Sequence, residues 1–386
     1  MHSTAQIFCF LLLLTLAATA IASDDTLKKQ DALAVQLQQT VKAYHDRGEF
    51  DGVVLIARGD NIIFQGGFGL ANRERGLPNT PDTPYRICSI TKQFTALLVM
   101  QLVEHGKLDI DRPIISYLPD YRQDTGSRIT IKHLLSHTSG LPLLDEALPE
   151  QNGVAGIYTA TDTKFTNAAY MVKTYCSGDL IAAPGEKFNY NNADYIILQA
   201  ILERITALSY DRLLQKQILK PLGMRHTGLI TRDAYAKGQA IGYALQKGQI
   251  VAEPYVHVPN FGATGAMYST ASDLLRWNRA FDQDKLLSKK YRELMFAPYP
   301  ANGYGALGSW VFPFYAKNVT KKPLIIDREG EIGAFNLSNL RVPEDGLSIL
   351  VFSNVETSDR GAAYMGKGIV FDLLKTLYTV ASEPNL

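Results

Sequence analysis

The feature that most constrains the fold is the placement of strand patterns near both ends of the chain, with a helical middle between them. Short apolar runs typical of strands lie at Val53–Ala57, Ile62–Phe68, Ser309–Phe314, Leu324–Ile326, Phe335–Arg341 and Leu347–Ser353. Arg58-Gly59-Asp60-Asn61 and Pro343-Glu344-Asp345-Gly346 are turn sequences between neighbouring runs. We therefore predict one α+β unit, whose antiparallel sheet is built from both chain ends.

Apolar residues at helical spacing predict helices before, between and after these strands. The predicted helices cover 26–47, Ser89–His105, Ala193–Ile205, Tyr210–Leu219, Ser272–Phe281 and Tyr364–Tyr378. Residues 141–188 are rich in Gly, Thr and Asn with weak periodicity, which predicts a loop-rich region facing a substrate. We expect helices to flank the sheet, and a mainly helical subdomain over roughly 105–265 to be inserted between the two sets of strands.

Residues 1–22 are predicted to be a signal peptide. Ile7–Ala22 is an uncharged apolar run, and Ala20-Ile21-Ala22 matches an A-x-A-like cleavage signal. The run is shorter than the ~20 residues that span a bilayer. We expect residues 23–386 to form the mature protein, exported to the periplasm or secreted. Because Met1–Gln6 carries no Lys or Arg, an uncleaved anchor is the alternative.

Charge and cysteine content exclude several protein classes. With 39 Lys and Arg against 38 Asp and Glu, the chain lacks the strong positive charge of a nucleic-acid-binding domain. Three cysteines exclude a disulfide-dense scaffold and a zinc site made of four cysteines. Cys9 falls within the predicted signal peptide. Cys88 and Cys176 then form either one disulfide or two buried thiols.

The motif that carries chemistry is Ser89-Ile90-Thr91-Lys92, at the start of a predicted helix. Residues three apart on a helix lie on the same face. A serine hydroxyl needs a neighbouring base to act as a nucleophile, and a buried lysine can be that base if desolvation lowers its pKa. The helix N-terminus adds a positive field for a developing oxyanion. Alone, the pattern is also explained by Ser89 as a helix cap and Lys92 as a solvated side chain.

The wider context resembles the serine β-lactamase-like superfamily of class C β-lactamases, D-alanyl-D-alanine carboxypeptidases and related serine esterases. The resembling stretches are RICSITKQFTALLVMQLVEHGKLDIDRPI, ITIKHLLSHTSGLP, FNYNNADYIILQAILERI, ILKPLGM and GATGAMYSTASDLLRW. They keep the family's order over most of the predicted mature chain. The resemblance implies a β-lactamase/transpeptidase-like fold, with Ser89 as the acyl-forming nucleophile and Lys92 as its partner.

The resemblance also implies roles for Tyr190-Asn191-Asn192, just before a predicted helix. Tyr190 resembles the family's general base. A phenol can act in this way only if nearby cations, such as Lys92, stabilise the phenolate. Asn192 would orient Lys92 and the substrate amide. The alternative is a buried tyrosine followed by an Asx cap on the next helix.

The family's third motif, Lys or His, then Ser or Thr, then Gly, is altered here. The stretch IDREGEIGAF stands where the family often has one like GHSGGIPGF. Alignment by the flanks puts Arg328 at the Lys/His position, Glu329 at the Ser/Thr position and Gly330 at the glycine. His226-Thr227-Gly228 spells the motif, but it precedes GATGAMYSTASDLLRW, whereas the family's third motif follows that stretch. We therefore interpret Arg328-Glu329-Gly330 as the third motif.

This alteration changes what the site can bind. Arg328 stays charged at any working pH, so it can bind a carboxylate but cannot relay protons. Glu329 puts an anion where the family usually binds an anionic substrate, unless it pairs with Arg328. Gly330 still permits a close backbone approach. The match implies the backbone N–H groups of Ser89 and Glu331 as the oxyanion donors.

Two other patterns are interpreted as structural. His133 and His137 have the spacing of zinc ligands, but Leu134 stands where a metalloprotease helix has Glu. The sequence GYGALG fits G-x-G-x-x-G, but it opens a strand rather than a helix, so no dinucleotide is implied. We expect neither a metal nor a cofactor.

The sequence thus predicts an exported serine hydrolase that acts through an acyl-enzyme on an ester, a D-amino-acid peptide or a β-lactam. Esterase or peptidase activity is favoured over efficient β-lactamase activity. The expected partner is a small-molecule or short-peptide substrate, for which the cell wall is one source, with no nucleic acid and no stable membrane span after cleavage. The alternative is a catalytically impaired penicillin-binding or sensor domain of the same fold.

Overall fold

The computed structural model describes most of the chain after residue 29. The described residues are 30–148, 163–231, 238–247, 249–254, 256–299, 303–356 and 363–380. The predicted signal peptide, its cleavage site and Cys9 lie outside these residues. No helix within the described ranges is long and apolar enough to cross a membrane.

A six-stranded antiparallel sheet combines strands from the two ends of the chain. Its strands are β1 (Gly52–Arg58), β2 (Asn61–Phe68), β3 (Trp310–Pro313), β4 (Leu324–Ile332), β5 (Phe335–Val342) and β6 (Leu347–Ser353). Their order is β3-β4-β5-β6-β1-β2, so the first strand in the chain pairs with the last along its whole length. This pairing confirms the predicted α+β class and the sheet built from both chain ends.

Helices cover both faces of this sheet. The long helices are α1 (30–46), α2 (Thr91–Glu104), α3 (Asn192–Thr206), α4 (Ala271–Asp282) and α5 (Ile369–Val380). Alternate side chains of a strand point to opposite faces. Accordingly, Val54 and Ile56 pack in the core that contains α1 and α5, whereas Val53 and Leu55 join the core that contains α2, α3 and α4.

Shorter elements connect the long ones. Short α-helices cover Gln123–Gly126, Ile131–Leu135, Leu144–Ala147, Ala168–Tyr175, Tyr210–Leu214, Lys220–Leu222, Gly262–Gly265 and Lys289–Met295. Short strands pair as Leu70–Asn72 with Leu77–Pro78, as Tyr85–Arg86 and Gly228–Leu229 with Met267–Ser269, and as Tyr243–Gln246 with Gln249–Ala252. The chain between β2 and β3 is thus mainly helical, while the bounds of an inserted subdomain stay a prediction.

The structure corrects several predicted boundaries. The strand predicted over Leu324–Ile326 continues to Ile332, because β5 pairs with β4 as far as Ile332 and supplies the hydrogen bonds that the polar sequence alone did not indicate. The region predicted as loop contains a helix at Ala168–Tyr175. The helix predicted over Tyr210–Leu219 changes from α to π geometry after Leu214. The last helix begins at Ile369 rather than at Tyr364.

Candidate active site

Ser89 lies on a tight turn rather than in a helix. The turn is a 3₁₀ segment, Cys88–Ile90, and α2 begins after it, so Ser89 makes no capping bond to the helix as one alternative required. Cys88 has φ = 50°, a conformation uncommon for non-glycine residues that often marks functional sites. A Cβ at Gly330 would lie 2.2 Å from the carbonyl oxygen of Ile87. Only glycine therefore lets β4 pack against the turn that carries Ser89.

Lys92 is fully buried beside Ser89. Its Nζ lies 3.2 Å from Ser89 Oγ, 2.9 Å from Asn192 Oδ1 and 2.8 Å from the carbonyl oxygen of Thr264. Three neutral oxygens thus accept its three possible donors. Burial lowers the pKa of Lys92 to about 8, against the opposing effect of Tyr190. A fraction of this amine is therefore unprotonated near neutral pH.

Tyr190 contacts the same hydroxyl from the other side. Its phenol donates to Ser89 Oγ at 2.7 Å and accepts from Arg328 Nη2 at 2.7 Å. Burial alone would raise the pKa of Tyr190, but the positive charges of Arg328 and Lys92 outweigh burial and lower it. Ser89 is therefore held between two groups whose pKa values are shifted towards losing a proton.

Arg328 and Glu329 do not pair with each other. The Arg328 side chain is buried, and its Nε donates to the carbonyl oxygen of Ser89 at 3.1 Å. Glu329 instead accepts a hydrogen bond from Trp310 Nε1 at 2.9 Å through Oε2. Its Oε1 is buried and has no hydrogen-bond partner among the described residues. Burial raises the pKa of Glu329, against the opposing charge of Arg328.

Two adjoining cavities open on either side of Ser89. The larger has a volume of about 440 Å³ and is lined by Ser89, Phe188, Tyr190, Tyr304, Trp310, Arg328, Glu329 and Glu331. The smaller has a volume of about 180 Å³ and is lined by Ser89, Leu143, Leu144, Asp145, Tyr190, Asn191, Asn192, Phe261, Glu331 and Ile332. The larger volume falls within the usual size range of small-molecule sites. The structure thus brings together the predicted residues from three separate chain segments.

Comparison with known proteins gives the same family that the motifs suggested. The model of the family described as Beta-lactamase matches residues 37–371. The chain belongs to the Beta-lactamase family. It is 28% identical to the putative penicillin-binding protein PbpX of Bacillus subtilis (strain 168), over 88% of this chain and 78% of that protein. The resemblance stated from the sequence is therefore confirmed.

Solved structures share the fold of this Beta-lactamase family member. The D-amino acid amidase of Ochrobactrum anthropi SV3, complexed with L-phenylalanine, has a TM-score of 0.75 at 22% identity, covering 91% of this chain and 100% of that chain. EstCE1, a hydrolase with promiscuous acyltransferase activity, has a TM-score of 0.73 at 22% identity, covering 90% and 99%. At these identities the matches show the common fold.

Several residues of this Beta-lactamase family site were not predicted from the sequence. Phe188 and Trp310 form aromatic walls, with ring centroids 5.6 Å apart. His137 lies under Tyr190, with ring centroids 4.5 Å apart, and its Nδ1 is 3.1 Å from Asp194 Oδ2. Burial lowers the pKa of His137 and raises the pKa of Asp194, which favours the neutral form of both. His137 lies in a stretch that resembles the family, but it is 53 residues from Tyr190 in the sequence, and no local spacing indicates that the two side chains are in contact.

The remaining predicted alternatives have structural surroundings. His133 accepts from the backbone N–H of Thr130 and so caps its own helix. Within the described ranges, no group of three or more His, Cys, Asp or Glu side chains is placed to hold a metal. Thr227, in the sequence that spells the third motif, is buried with its hydroxyl 2.9 Å from Asp273 and lines neither cavity. Cys88 and Cys176 are buried free thiols, so the disulfide alternative is wrong.

Proposed function

We propose that the protein is a serine hydrolase that transfers the acyl group of an ester or amide first to Ser89 and then to water. The observation that carries this proposal is the position of the Ser89 hydroxyl, in contact with both Lys92 Nζ and Tyr190 OH at the edge of a cavity large enough for a substrate. A hydroxyl between two groups of lowered pKa is the arrangement that nucleophilic catalysis requires.

In the proposed acylation, Ser89 Oγ attacks the carbonyl carbon while its proton passes to Tyr190 or Lys92. The bond to the leaving group then breaks, and the leaving group takes up that proton. Water next attacks the acyl-enzyme, which releases the acid and restores the Ser89 hydroxyl. Arg328 cannot relay a proton, but its contact with the phenol stabilises the phenolate of Tyr190. We propose the backbone N–H groups of Ser89 and Glu331 as oxyanion donors.

We propose esters and amides, including D-amino-acid peptides, as better substrates than β-lactams. Glu329 and Glu331 line the larger cavity and would repel the carboxylate of a penicillin. At an effective dielectric of about 20, two like charges ~4 Å apart interact by ~4 kcal/mol. The charge of Arg328, which also acts on Glu329, offsets part of this repulsion, but the two carboxylates outnumber the one guanidinium in the cavity lining. The similar solved structures of a D-amino acid amidase and of the hydrolase EstCE1 are compatible with such substrates.

The proposal is tested by labelling the protein with a fluorescent penicillin and with a fluorophosphonate, followed by a turnover screen. The screen compares esters, D-alanyl peptides and cephalosporins in the wild type and in Ser89→Ala. We expect labelling and ester or amide turnover in the wild type, and neither in the variant. Labelling of Ser89 without turnover of any substrate would favour the alternative, a penicillin-binding or sensor domain.

We also propose that the protein acts after export, on small-molecule or short-peptide substrates such as cell-wall fragments. Support comes from the apolar leader that ends at Ala22. Mass spectrometry of the protein recovered from its native compartment tests this. A mature chain that begins at Ser23 is expected, and a retained leader in a membrane fraction would contradict it.

A further inference from the structure

We infer that Glu329 selects substrates with a protonated amine, so that the larger cavity binds amino-acid-type esters or amides with a free ammonium group. This inference rests on the proposed function and extends it to a substrate class. It reverses the charge preference expected of a site that binds a substrate carboxylate.

The inference starts from an acceptor that the protein leaves without a donor. Trp310 Nε1 donates to Glu329 Oε2 and so fixes the orientation of the carboxylate. The other oxygen, Oε1, is buried and has no hydrogen-bond partner in the described part of the chain. Nor does any Lys, Arg or His side chain within those ranges form an ion pair with Glu329. Leaving a buried carboxylate oxygen without a donor is unfavourable, and a ligand that donates there relieves the cost.

The two nearby cations are already engaged elsewhere. Arg328 donates to the Ser89 carbonyl oxygen and to the Tyr190 phenol, and its guanidinium lies 4.9 Å from the centroid of the Trp310 ring. Lys92 directs its donors at Ser89, Asn192 and Thr264. Both side chains therefore direct their hydrogen bonds to the reacting hydroxyl and its neighbours, and neither donates to Glu329.

The chemistry of the cavity fits an ammonium group joined to an apolar body. Phe188, Trp310 and Tyr304 offer ring surface, which attracts cations as well as apolar groups. Glu331, on the same strand, adds a second carboxylate to the lining. An ammonium has three donors and no acceptor, so it complements a carboxylate oxygen that can only accept. A substrate carboxylate would instead bring acceptors against acceptors.

Four methyl esters built on one skeleton test the inference. They are the ester of 3-phenylpropanoate, which has no amine, those of each enantiomer of phenylalanine, and that of 3-amino-3-phenylpropanoate. Hydrolysis at pH 7 is compared in the wild type, in Glu329→Gln and in Asp327→Asn. Asp327 is the matched control because it is a buried carboxylate two positions away on β4, bonded to Ser338 at 2.9 Å and absent from the cavity lining.

We expect kcat/KM of the wild type to be at least ~10-fold higher for one amino ester than for the ester without an amine. Glu329→Gln should lower this ratio about 10-fold, and the amine-free ester measured in the same variant is the reference for that ratio. Asp327→Asn should keep the wild-type ratio. Because burial and the charge of Glu329 raise the pKa of Asp327 to about 8, this control leaves the charge at pH 7 nearly unchanged and tests for a disturbance of β4. An equal fall of the ratio in both variants would overturn the inference.

The outcomes separate this inference from the function on which it rests. Hydrolysis of all four esters with no preference for the amine would overturn the inference and leave the hydrolase proposal intact. No turnover of any ester or amide would overturn the proposed function, and this inference with it. If Glu329→Gln does not fold, the wild-type ratio decides alone, because an amine-free ester hydrolysed as fast as the best amino ester contradicts the inference.

Discussion

The two walls beside Ser89 differ in how far their polar groups bind one another. On the nucleophile wall, defined as Ser89, Lys92, Tyr190 and Asn192, a continuous set of hydrogen bonds runs from Asn192 through Lys92 and Ser89 to Tyr190. On the strand wall, defined as Arg328, Glu329 and Glu331, Arg328 is bound to the opposite side, whereas the Oε1 of Glu329 has no hydrogen-bond partner among the described residues. The first wall is preorganised, whereas the second exposes charge to a ligand. This difference leads us to assign chemistry to the first and substrate choice to the second.

The largest effect should come from removing the nucleophile. Ser89→Ala is expected to abolish acyl-enzyme formation, with a loss of at least ~10³-fold in turnover. Folding should be unaffected within about 1 kcal/mol, because the side chain makes no capping bond. Intact-mass measurement after fluorophosphonate treatment and a thermal melt check both parts. Turnover by Ser89→Ala at near the wild-type rate would contradict the assignment of the chemistry to the nucleophile wall.

Tyr190→Phe tests whether the nucleophile wall works by proton transfer. The variant should lose at least ~10²-fold in the chemical step, the usual range for a general base, while binding of an uncharged substrate barely changes. Tyr195→Phe is the matched control, because this buried tyrosine donates to the Leu135 carbonyl and lines neither cavity. Single-turnover kinetics measure both variants. An unchanged chemical step in Tyr190→Phe would leave Lys92 as the sole base.

Arg328→Gln tests the connection between the walls. A general base acts in its unprotonated form. In the wild type, kcat/KM should therefore rise with pH through the Lys92 pKa of about 8. Arg328 lowers the pKa of Tyr190 and of Lys92, so its removal should move this rise to higher pH. At pH 7 the loss should be about 10-fold. Arg328→Lys, which keeps a positive charge, should restore part of the shift, and identical pH profiles in all three proteins would contradict the account.

The smallest expected effect lies on the strand wall alone. Glu329→Thr removes the negative charge, so kcat/KM for a cephalosporin should rise several-fold, since each ~1.4 kcal/mol of relieved repulsion is a factor of ten. A neutral short-chain aryl ester should change little, because it carries no charge to repel. The measurement is kcat/KM for the cephalosporin and for the aryl ester, in the wild type and in Glu329→Thr. Efficient β-lactam hydrolysis by the wild type, or an equal gain for both substrates, would show that Glu329 does not set the preference.

The local parts of this site could be predicted from the sequence because their geometry depends on short spacings. Ser89 and Lys92 are three residues apart, and the turn and helix that hold them bring the two side chains together. The apolar runs of β1, β2, β5 and β6 likewise predicted their strands, since a sheet with helices on both faces buries side chains on each of them. The Tyr-x-Asn position was available only through the family resemblance.

Contacts between distant segments were decided by the tertiary structure. The polar run at 327–331 has no strand pattern of its own, and it is a strand because β5 pairs with it. Arg328 and Glu329 are neighbours of opposite charge that both contact Trp310, yet their hydrogen bonds go to different partners. Arg328 reaches Tyr190, and Glu329 reaches Trp310. The hydrogen-bond partners of each charged side chain belong to segments far apart in sequence. Local spacing therefore could not reveal which carboxylate oxygen stays available to a ligand.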